Sequence, residues 1–428
     1  MCGIVGVCST TDIAFEENWL LKAIDQLSHR GPDGKAVWVS KNKKIGFGHT
    51  RLSIIDLSPD GNQPMVFENE GVAITFNGEI YNFKELKKEL NNLGFNFKSN
   101  SDTEVLLKSY LAWGVDCLKR LNGMFSFAIH DQRNDLVFFA RDRAGEKPFF
   151  YRHFNESIYF SSELKGLLCN TNLPRTINTS SLTEYLKKGY IANDKCILEG
   201  FSKLPPSHAM LFNCSTGEIK KWRYYELPLQ SVSSSYQSDE KLLDTLNSAL
   251  QVSVSQQMVA DVPVGLLLSG GLDSSLITHY ATQSSSSVKT FNIKFPNDSN
   301  YDESKHARLI AQHYGTDHTE LECEEASVDL LPSLAFHFDE PMIDSSSIPT
   351  WLVTNLVRKH CTVAIGGDGG DELFGGYYHY NTLLQLKNIY DVIPYFIKKP
   401  VSKFSKKYLR IGTKGKKYLD NLSVNFST

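Results

Sequence analysis

The chain opens Met1-Cys2-Gly3, and a cysteine directly behind an initiator methionine raises a question of chemistry. A small second residue normally lets the methionine be removed, which leaves Cys2 with a thiol and a free α-amine on one residue. That is a compact nucleophile–base pair, and the amine's ordinary pKa of roughly 7.7–8.0 suits proton abstraction near neutrality. The plainer reading makes Cys2 a small apolar residue at the start of a strand, because "GIVGV" is β-rich. Taken alone, the stretch favours the strand.

"LLLSGGLDSS" is the more specific signal. An apolar strand from Val264 to Leu268 runs into Ser269-Gly270-Gly271, and a helix follows. Two glycines let the backbone turn tightly and aim its N–H groups at one spot, where a helix N-terminus adds partial positive charge. Ser269, Ser274 and Ser275 can offer hydroxyls to the same anion. Asp273 would be unwelcome beside bare phosphate unless Mg²⁺ sits between them. The loop fits neither GxxxxGK[ST] nor GxGxxG; its purely structural reading is a glycine turn with a Ser/Asp helix cap. After a second apolar strand, "AIGGDGGDELFGGY" places Asp368, Asp371 and Glu372 on a glycine-rich turn.

The elements that must carry these residues change character along the chain. Roughly the first two hundred residues hold short β-branched or aromatic runs, among them "CGIVGV", "AVWVS", "IGFGHT", "VAITFNG", "FSFAIHD", "LVFFARD" and "SIYFSS". "NWLLKAIDQLSH" and "FKELKKELNNLG" have helical spacing, the second stopping at Gly94. Runs of strands with helices grouped between them predict α+β layers. The serine cluster Ser231 to Ser238 reads as part of a linker. Beyond it, helix and strand alternate: a helix near 240–258, "VPVGLLL", a helix from about Asp273, "TFNIKF", a helix over "DESKHARLIAQHYG", then "TVAIGG". That order predicts a parallel sheet with helices on both faces. The Lys-rich last thirty residues read as a solvated, partly disordered face.

Composition excludes several classes. With 428 residues, 41% hydrophobic content and a net charge of −3, the chain reads as two or three ordinary globular domains without the basic excess of a nucleic-acid binder. No apolar run approaches 18 residues, and no secretory signal opens the chain. Cys2, Cys8, Cys117, Cys169, Cys196, Cys214, Cys323 and Cys361 form no CxxC pair, so neither zinc spacing nor a disulfide framework is expected. Reduced thiols imply a cytoplasmic protein.

The serine–glycine loop resembles the pyrophosphate loop of ATP pyrophosphatases. Together with "CGIVGV", "HRGPDG", "RLSIIDLS", "FNGEIYN" and "GGDGGDELFGGY", the chain resembles the glutamine-hydrolysing asparagine synthetase family from Cys2 to about Tyr380. The resemblance implies an α+β Ntn-type four-layer αββα sandwich, followed by an α/β, doubly wound, ATP-pyrophosphatase-like domain with a parallel sheet. The expected boundaries are a glutaminase domain over 1–210, a linker over 211–238 and a synthetase domain over 239–428.

In the first domain the resemblance makes Cys2 the nucleophile, reversing the reading of the opening stretch, with its own α-amine as base. It makes Asn77 and Gly78 the oxyanion hole, Arg51 the clamp for the glutamine α-carboxylate, and Glu79 and Asp102 the acceptors of its α-ammonium. Without it, these are an interior arginine, an "NG" turn and the helix cap "SDTE". In the second domain it implies that ATP converts the β-carboxylate of aspartate into an acyl-adenylate, which ammonia from Cys2 attacks. Leu267, Ser269, Gly270, Gly271, Asp273, Ser274, Ser275, Ile293, Gly366 and Gly367 would bind ATP. Asp368 would serve β-aspartyl-adenylate formation, and Asp273 and Asp371 would hold Mg²⁺. Implied substrates are glutamine, aspartate and ATP, with a homodimer as a further expectation and no nucleic-acid or membrane partner.

Two departures bear on the second domain. Gly366 stands where many members have serine, and neither an R-x-P-F-L-D stretch nor the family's lysine-bearing segment is present. A synthetase domain incomplete at its C-terminus is therefore expected to leave glutamine hydrolysis intact and asparagine formation weak. The competing readings are an amidotransferase for a sugar or natural-product carboxylate, and a relative with a glutaminase or regulatory role only.

Overall fold

A computed structural model describes residues 1–11, 17–192, 194–228, 238–294, 302–322, 328–410 and 412–423. The chain forms two compact units, Met1–Ile365 and Gly366–Thr428. The first begins with β1 (Gly3–Ser9), α1 (Glu17–Gln26), β2 (Gly34–Val39), β3 (Ile45–Arg51), β4 (Met65–Phe67) and β5 (Val72–Ile80). It continues with α2 (Phe83–Asn92), α3 (Asp102–Trp113), β6 (Gly123–Asp131), β7 (Leu136–Arg141), β8 (Phe150–Phe154) and β9 (Ser157–Ser161). Then come α4 (Leu164–Leu168), α5 (Thr179–Lys188), β10 (Phe201–Lys203), β11 (His208–Asn213) and β12 (Ile219–Arg223).

These strands make two six-stranded antiparallel sheets, in the orders β10-β8-β9-β1-β3-β2 and β12-β11-β7-β6-β5-β4. The two-residue period of a strand sends its apolar side chains to both faces. On β5, Ile74 and Phe76 pack on Leu86, Leu90, Val105 and Leu106 of α2 and α3. Ala73 points the other way and joins Ile4, Phe47, Phe139 and Phe160 between the sheets. On β1, Val5 and Val7 meet Leu20, Ile24 and Leu27 beside α1. The layers are helix, sheet, sheet, helix, as expected for an αββα sandwich.

The rest of the first unit alternates: α6 (Asp239–Gln257), β13 (Val264–Leu267), α7 (Leu272–Ser284), β14 (Lys289–Lys294), α8 (Ser304–Tyr314), β15 (Asp317–Glu322), α9 (Leu331–Phe338), α10 (Ser347–Val357) and β16 (Val363–Ile365). The strands form a parallel sheet in the order β15-β14-β13-β16. Leu266 packs with Val254 of α6 and Tyr280 of α7. Its neighbour Leu267 packs on the opposite face with Phe291 and Val357 of α10. Helices on both faces make the sheet doubly wound. The second unit is helical: α11 (Gly370–Phe374), α12 (Tyr378–Val392), α13 (Tyr395–Tyr408) and α14 (Lys416–Asp420).

Four sequence expectations need correction. Residues 211–223, assigned to the linker, contain the second half of β11 and all of β12, because Met210 and Phe212 are buried between the sheets and β11 pairs with β7. The serine-rich part, 229–237, lies outside the described residues, as does Cys323; Ser238 caps α6. β15, "DHTELE", was not foreseen: it is a polar edge strand, and charge on an edge discourages further pairing while hiding the strand pattern. The Lys-rich tail is helical over Tyr395–Tyr408, where Ser402 and Ser405 are buried against Asp420. Among the described residues no helix is long and apolar enough to cross a membrane.

Phe160 touches Phe47, Phe139 and Phe149 with ring centroids 5.4–5.8 Å apart. Phe160→Ala should therefore cost about 3–5 kcal/mol, measured as a lower urea midpoint for the sandwich.

Candidate active site

β1 and β3 run antiparallel with Gly3 opposite Thr50. The same register brings Cys2 alongside the end of β3, where the Leu52 N–H donates to Cys2 Sγ at 3.4 Å. From the facing sheet the end of β5 delivers Asn77, Gly78 and Glu79, and the first turn of α3 delivers Asp102. Cys2, Arg51, Asn77, Gly78, Glu79 and Asp102 all line one cleft of about 510 Å³. Burial raises the Cys2 thiol above its usual pKa, while the Leu52 N–H favours the thiolate. An amine in this corner behaves oppositely: burial, then the Arg30 and Lys147 charges, hold the Met1 amine down at about 5, against Cys2 and Glu79. The Met1 amine is thus uncharged near pH 7.

Arg51 is 8% exposed. Its Nη1 donates to the Ser58 carbonyl and to Asn62 Oδ1, both at 2.9 Å, and Nη2 donates to the Asp56 carbonyl. All three acceptors are neutral, and among the described residues no carboxylate is ion-paired with Arg51. A Cβ on Gly61 would collide with Nη2, so this loop needs glycine there. The result is a fixed, desolvated cation with no anionic partner.

Asn77 and Gly78 lie inside β5, correcting the turn reading; the strand runs on because Asn77 pairs with Ser126 and Gly78 with Phe125. A Cβ on Gly78 would collide with the Met124 carbonyl and stand 2.7 Å from Phe125 Cα. Asn77 is 1% exposed, and both Nδ2 and Oδ1 lack a hydrogen-bond partner among the described residues. A buried amide left unpaired costs about 1–3 kcal/mol, so a native one calls for a ligand or a catalytic role.

The cap of α3 is Ser101, whose Oγ accepts from the Thr103 N–H at 3.1 Å. Glu104 does not close a box onto Ser101; it turns back to the Lys98 and Ser99 N–H groups. Asp102 is thereby free of capping, and it accepts from the Ile80 N–H at 2.9 Å. Burial pushes Asp102 up to about 6 despite that bond. Burial and then the Asp102 charge push Glu79 up to about 7, with Lys147 opposing. Two desolvated carboxylates side by side are short of a cation.

Sequence reasoning missed Arg30 and Lys147. Arg30 Nε donates to the Cys2 carbonyl at 2.9 Å and Nη1 to Glu163 at 2.7 Å. Burial opposes it, but His29, Arg30 and Lys165 hold Glu163 down at about 2. Arg30 sits within "HRGPDG" and was within reach of the motif. Lys147, 4% exposed and lining the cleft, reaches it only through tertiary folding and carries no local signal.

The phosphate-type loop follows β13, the strand flanked by β14 and β16, and Gly271 caps α7. Gly270 has φ +84° and packs under α8, where a Cβ would stand 2.6 Å from His306 Cβ. The three hydroxyls turn onto the loop itself: Ser269 Oγ lies 3.0 Å from Ser274 Oγ, and Ser275 Oγ donates to the Gly271 carbonyl at 2.7 Å. Asp273 stands in the first turn of α7, Leu267 ends β13 and Ile293 lies in β14. Among the described residues no group of three His, Cys, Asp or Glu side chains gathers as a metal site. In the second unit Gly366, Gly367 and Asp368 lead into α11, whose first turn holds Asp371, with the Gly370 N–H on the Gly367 carbonyl at 3.2 Å.

The αββα sandwich with an unpaired cation, an unpaired amide and two electron-rich carboxylates around a cysteine defines a glutamine amidotransferase domain, and residues 1–225 match the family of that description. Residues 245–422 match the asparagine synthase family. A putative asparagine synthetase [glutamine-hydrolyzing] 2 of Methanocaldococcus jannaschii is 37% identical over 400 residues, 88% of this chain and 76% of its own. Asparagine synthetase [glutamine-hydrolyzing] 1 of Bacillus subtilis is 36% identical over 403 residues, 93% of this chain but 62% of its own. Amidase chry2 of Gibberella zeae is 31% identical, over 83% of this chain and 54% of its own. The chain therefore spans about three quarters of the first relative and less than two thirds of the other two. This protein belongs to the glutamine-hydrolysing asparagine synthetase family.

The raised carboxylates carry a stability cost with a definite sign. The folded protein holds protons on Glu79 and Asp102 that the unfolded chain releases near pH 4, so stability falls as pH rises from about 4 through 7. Glu79→Gln should raise unfolding free energy at pH 8 by about 1–3 kcal/mol and change it little at pH 4, read from urea midpoints at both pH values.

Proposed function

We propose that this chain releases ammonia from glutamine at Cys2 and transfers it to a β-aspartyl-adenylate, giving asparagine, glutamate, AMP and pyrophosphate. The observation that carries the reading is charge complementarity around Cys2. Arg51, a buried cation with only neutral hydrogen-bond acceptors among the described residues, and a proton-hungry pair, Glu79 and Asp102, line the same cleft, as an amino-acid head group requires. Its α-carboxylate pairs with Arg51 and its α-ammonium with the two acids.

With its α-amine free, Cys2 gives its thiol proton to that amine and attacks the side-chain amide carbon. The unpaired Asn77 Nδ2 and the Gly78 N–H take the developing oxyanion. The C–N bond breaks as the amine's proton passes to the leaving ammonia, and water then hydrolyses the thioester to glutamate.

In the synthetase half of the first unit, the loop Ser269–Ser275 would bind the nucleotide phosphates, with Leu267 and Ile293 beside the adenosine; in the second unit, Gly366 and Gly367 would bind ATP and Asp368 would serve adenylate formation. Mg²⁺ in nucleotide sites is held by one or two carboxylates plus substrate phosphates, so a loop offering Asp273 alone fits it. There it would neutralise phosphate charge. A cytoplasmic location is proposed with this function, supported by the seven free cysteines among the described residues.

The direct test is incubation with glutamine, aspartate and Mg-ATP, followed by assay for asparagine, AMP and pyrophosphate. Glutamine hydrolysis with ATP turnover but no asparagine would move the acceptor to another carboxylate. Cys2→Ala should abolish glutamine hydrolysis and leave ammonia-dependent ATP turnover intact, and mass spectrometry should find Cys2 at the N-terminus of active protein. Asp273→Asn should show the reverse pattern. The KM for glutamine should rise as pH falls from 8 to 5.5, since Glu79 and Asp102 then take up protons and lose their hold on the ammonium. A flat KM would remove both from that role.

A further inference from the structure

The loop between Leu52 and Gln63 supplies all three acceptors of Arg51, and Asp56 ties it to its surroundings. Asp56 adopts φ 56°, a left-handed conformation, and is 8% exposed. Its carbonyl accepts from Arg51 Nη2. Its carboxylate accepts from the Ser58 N–H and Oγ at 3.0 and 2.6 Å, and from the Asn100 N–H at 2.8 Å. Asn100 is two residues ahead of Asp102, so Asp56 contacts Arg51 at one end of the proposed site and the backbone leading into Asp102 at the other. The remaining polar group, its own N–H, donates to Asp261 Oδ2 at 2.7 Å. Asp261 returns the contact, its N–H donating to the Ile54 carbonyl at 2.9 Å.

Asp261 belongs to the other half of the unit, in the connection from α6 to β13, three residues before the strand that leads into the phosphate-type loop. We propose that Asp261 is a positioning residue for the glutamine site: its carboxylate braces Asp56 from the synthetase side and so fixes the spacing between Arg51 and Asp102. Asp261 is itself exposed, so truncating it opens no cavity. The brace acts on binding geometry and not on bond breaking, because Cys2, Asn77 and Gly78 are not attached to it.

The inference rests on the glutaminase reading, and two readouts on the full-length protein keep the two apart. In Asp261→Ala, hydrogen exchange at the amides of residues 54–62 should speed up roughly tenfold, the loss of one strong hydrogen bond. KM for glutamine should rise about five- to tenfold with kcat within twofold, and Asp261→Asn, which keeps an oxygen acceptor, should stay near wild type on both. Unchanged loop exchange overturns the brace whatever the enzyme does. Unchanged KM beside faster exchange overturns its role in positioning substrate, as does an equal fall in kcat for both variants. Absence of glutamine hydrolysis in the wild type refutes the proposed function, while the exchange result still judges the brace.

Discussion

A guanidinium group taken out of water and given only neutral acceptors is the constraint around which this site is organised. Removing Arg51 from solvent costs several kcal/mol, and amide and carbonyl oxygens recover only part of that. The chain accepts the cost by building a loop whose carbonyls at Asp56 and Ser58 converge on one side chain, and by omitting a Cβ at Gly61. The loop's course fixes the floor of the cleft, and the end of β3 that carries Arg51 also presents the Leu52 N–H to Cys2. Charge left uncompensated in the empty cleft is binding energy held for an anion.

The opposite wall is organised by the same economy with the sign reversed. Glu79 and Asp102 are buried side by side and hold their protons more tightly than free carboxylates. A zwitterion oriented between Arg51 and these acids satisfies both walls at once. A ligand lacking either charge leaves one wall unpaired, which is a stronger basis for selection than shape. The buried amide of Asn77, without a hydrogen-bond partner among the described residues, lines the same cleft.

The synthetase half is docked onto this sandwich by polar contacts. Lys165 pairs with Asp339 at 3.1 Å, Lys203 with Glu340 at 2.7 Å, and the Ile343 N–H donates to the Gly189 carbonyl at 2.7 Å. Lys165 also meets Glu163, which holds Arg30, which holds the Cys2 carbonyl. A continuous line of charge-assisted bonds thus joins Asp339, just past α9, to the residue proposed as nucleophile. These pairs are largely buried, where desolvation offsets much of the Coulomb gain, so they fix position more than they add stability.

By itself the sequence determined the local elements and the chemistry worth looking for. Strand alternation in "VAITFNG" and the glycine turn after "VGLLL" are local signals, while Cys2, Arg51, Asn77, Gly78, Glu79 and Asp102 become candidates through the family resemblance that the joint motifs carry. Local pattern is legible because a strand's two-residue period and a loop's glycines act over a few residues. Only the tertiary structure decided that "NG" continues a strand, that Ser101 and not Asp102 caps α3, and that β11 and β12 belong to the sandwich. It alone brought Lys147, Arg30 and Asp261 to the cleft or its supporting loop. Those contacts join residues far apart in the chain. Their energies come from burial and charge pairing in the folded state, which leave no periodicity behind for a sequence to show.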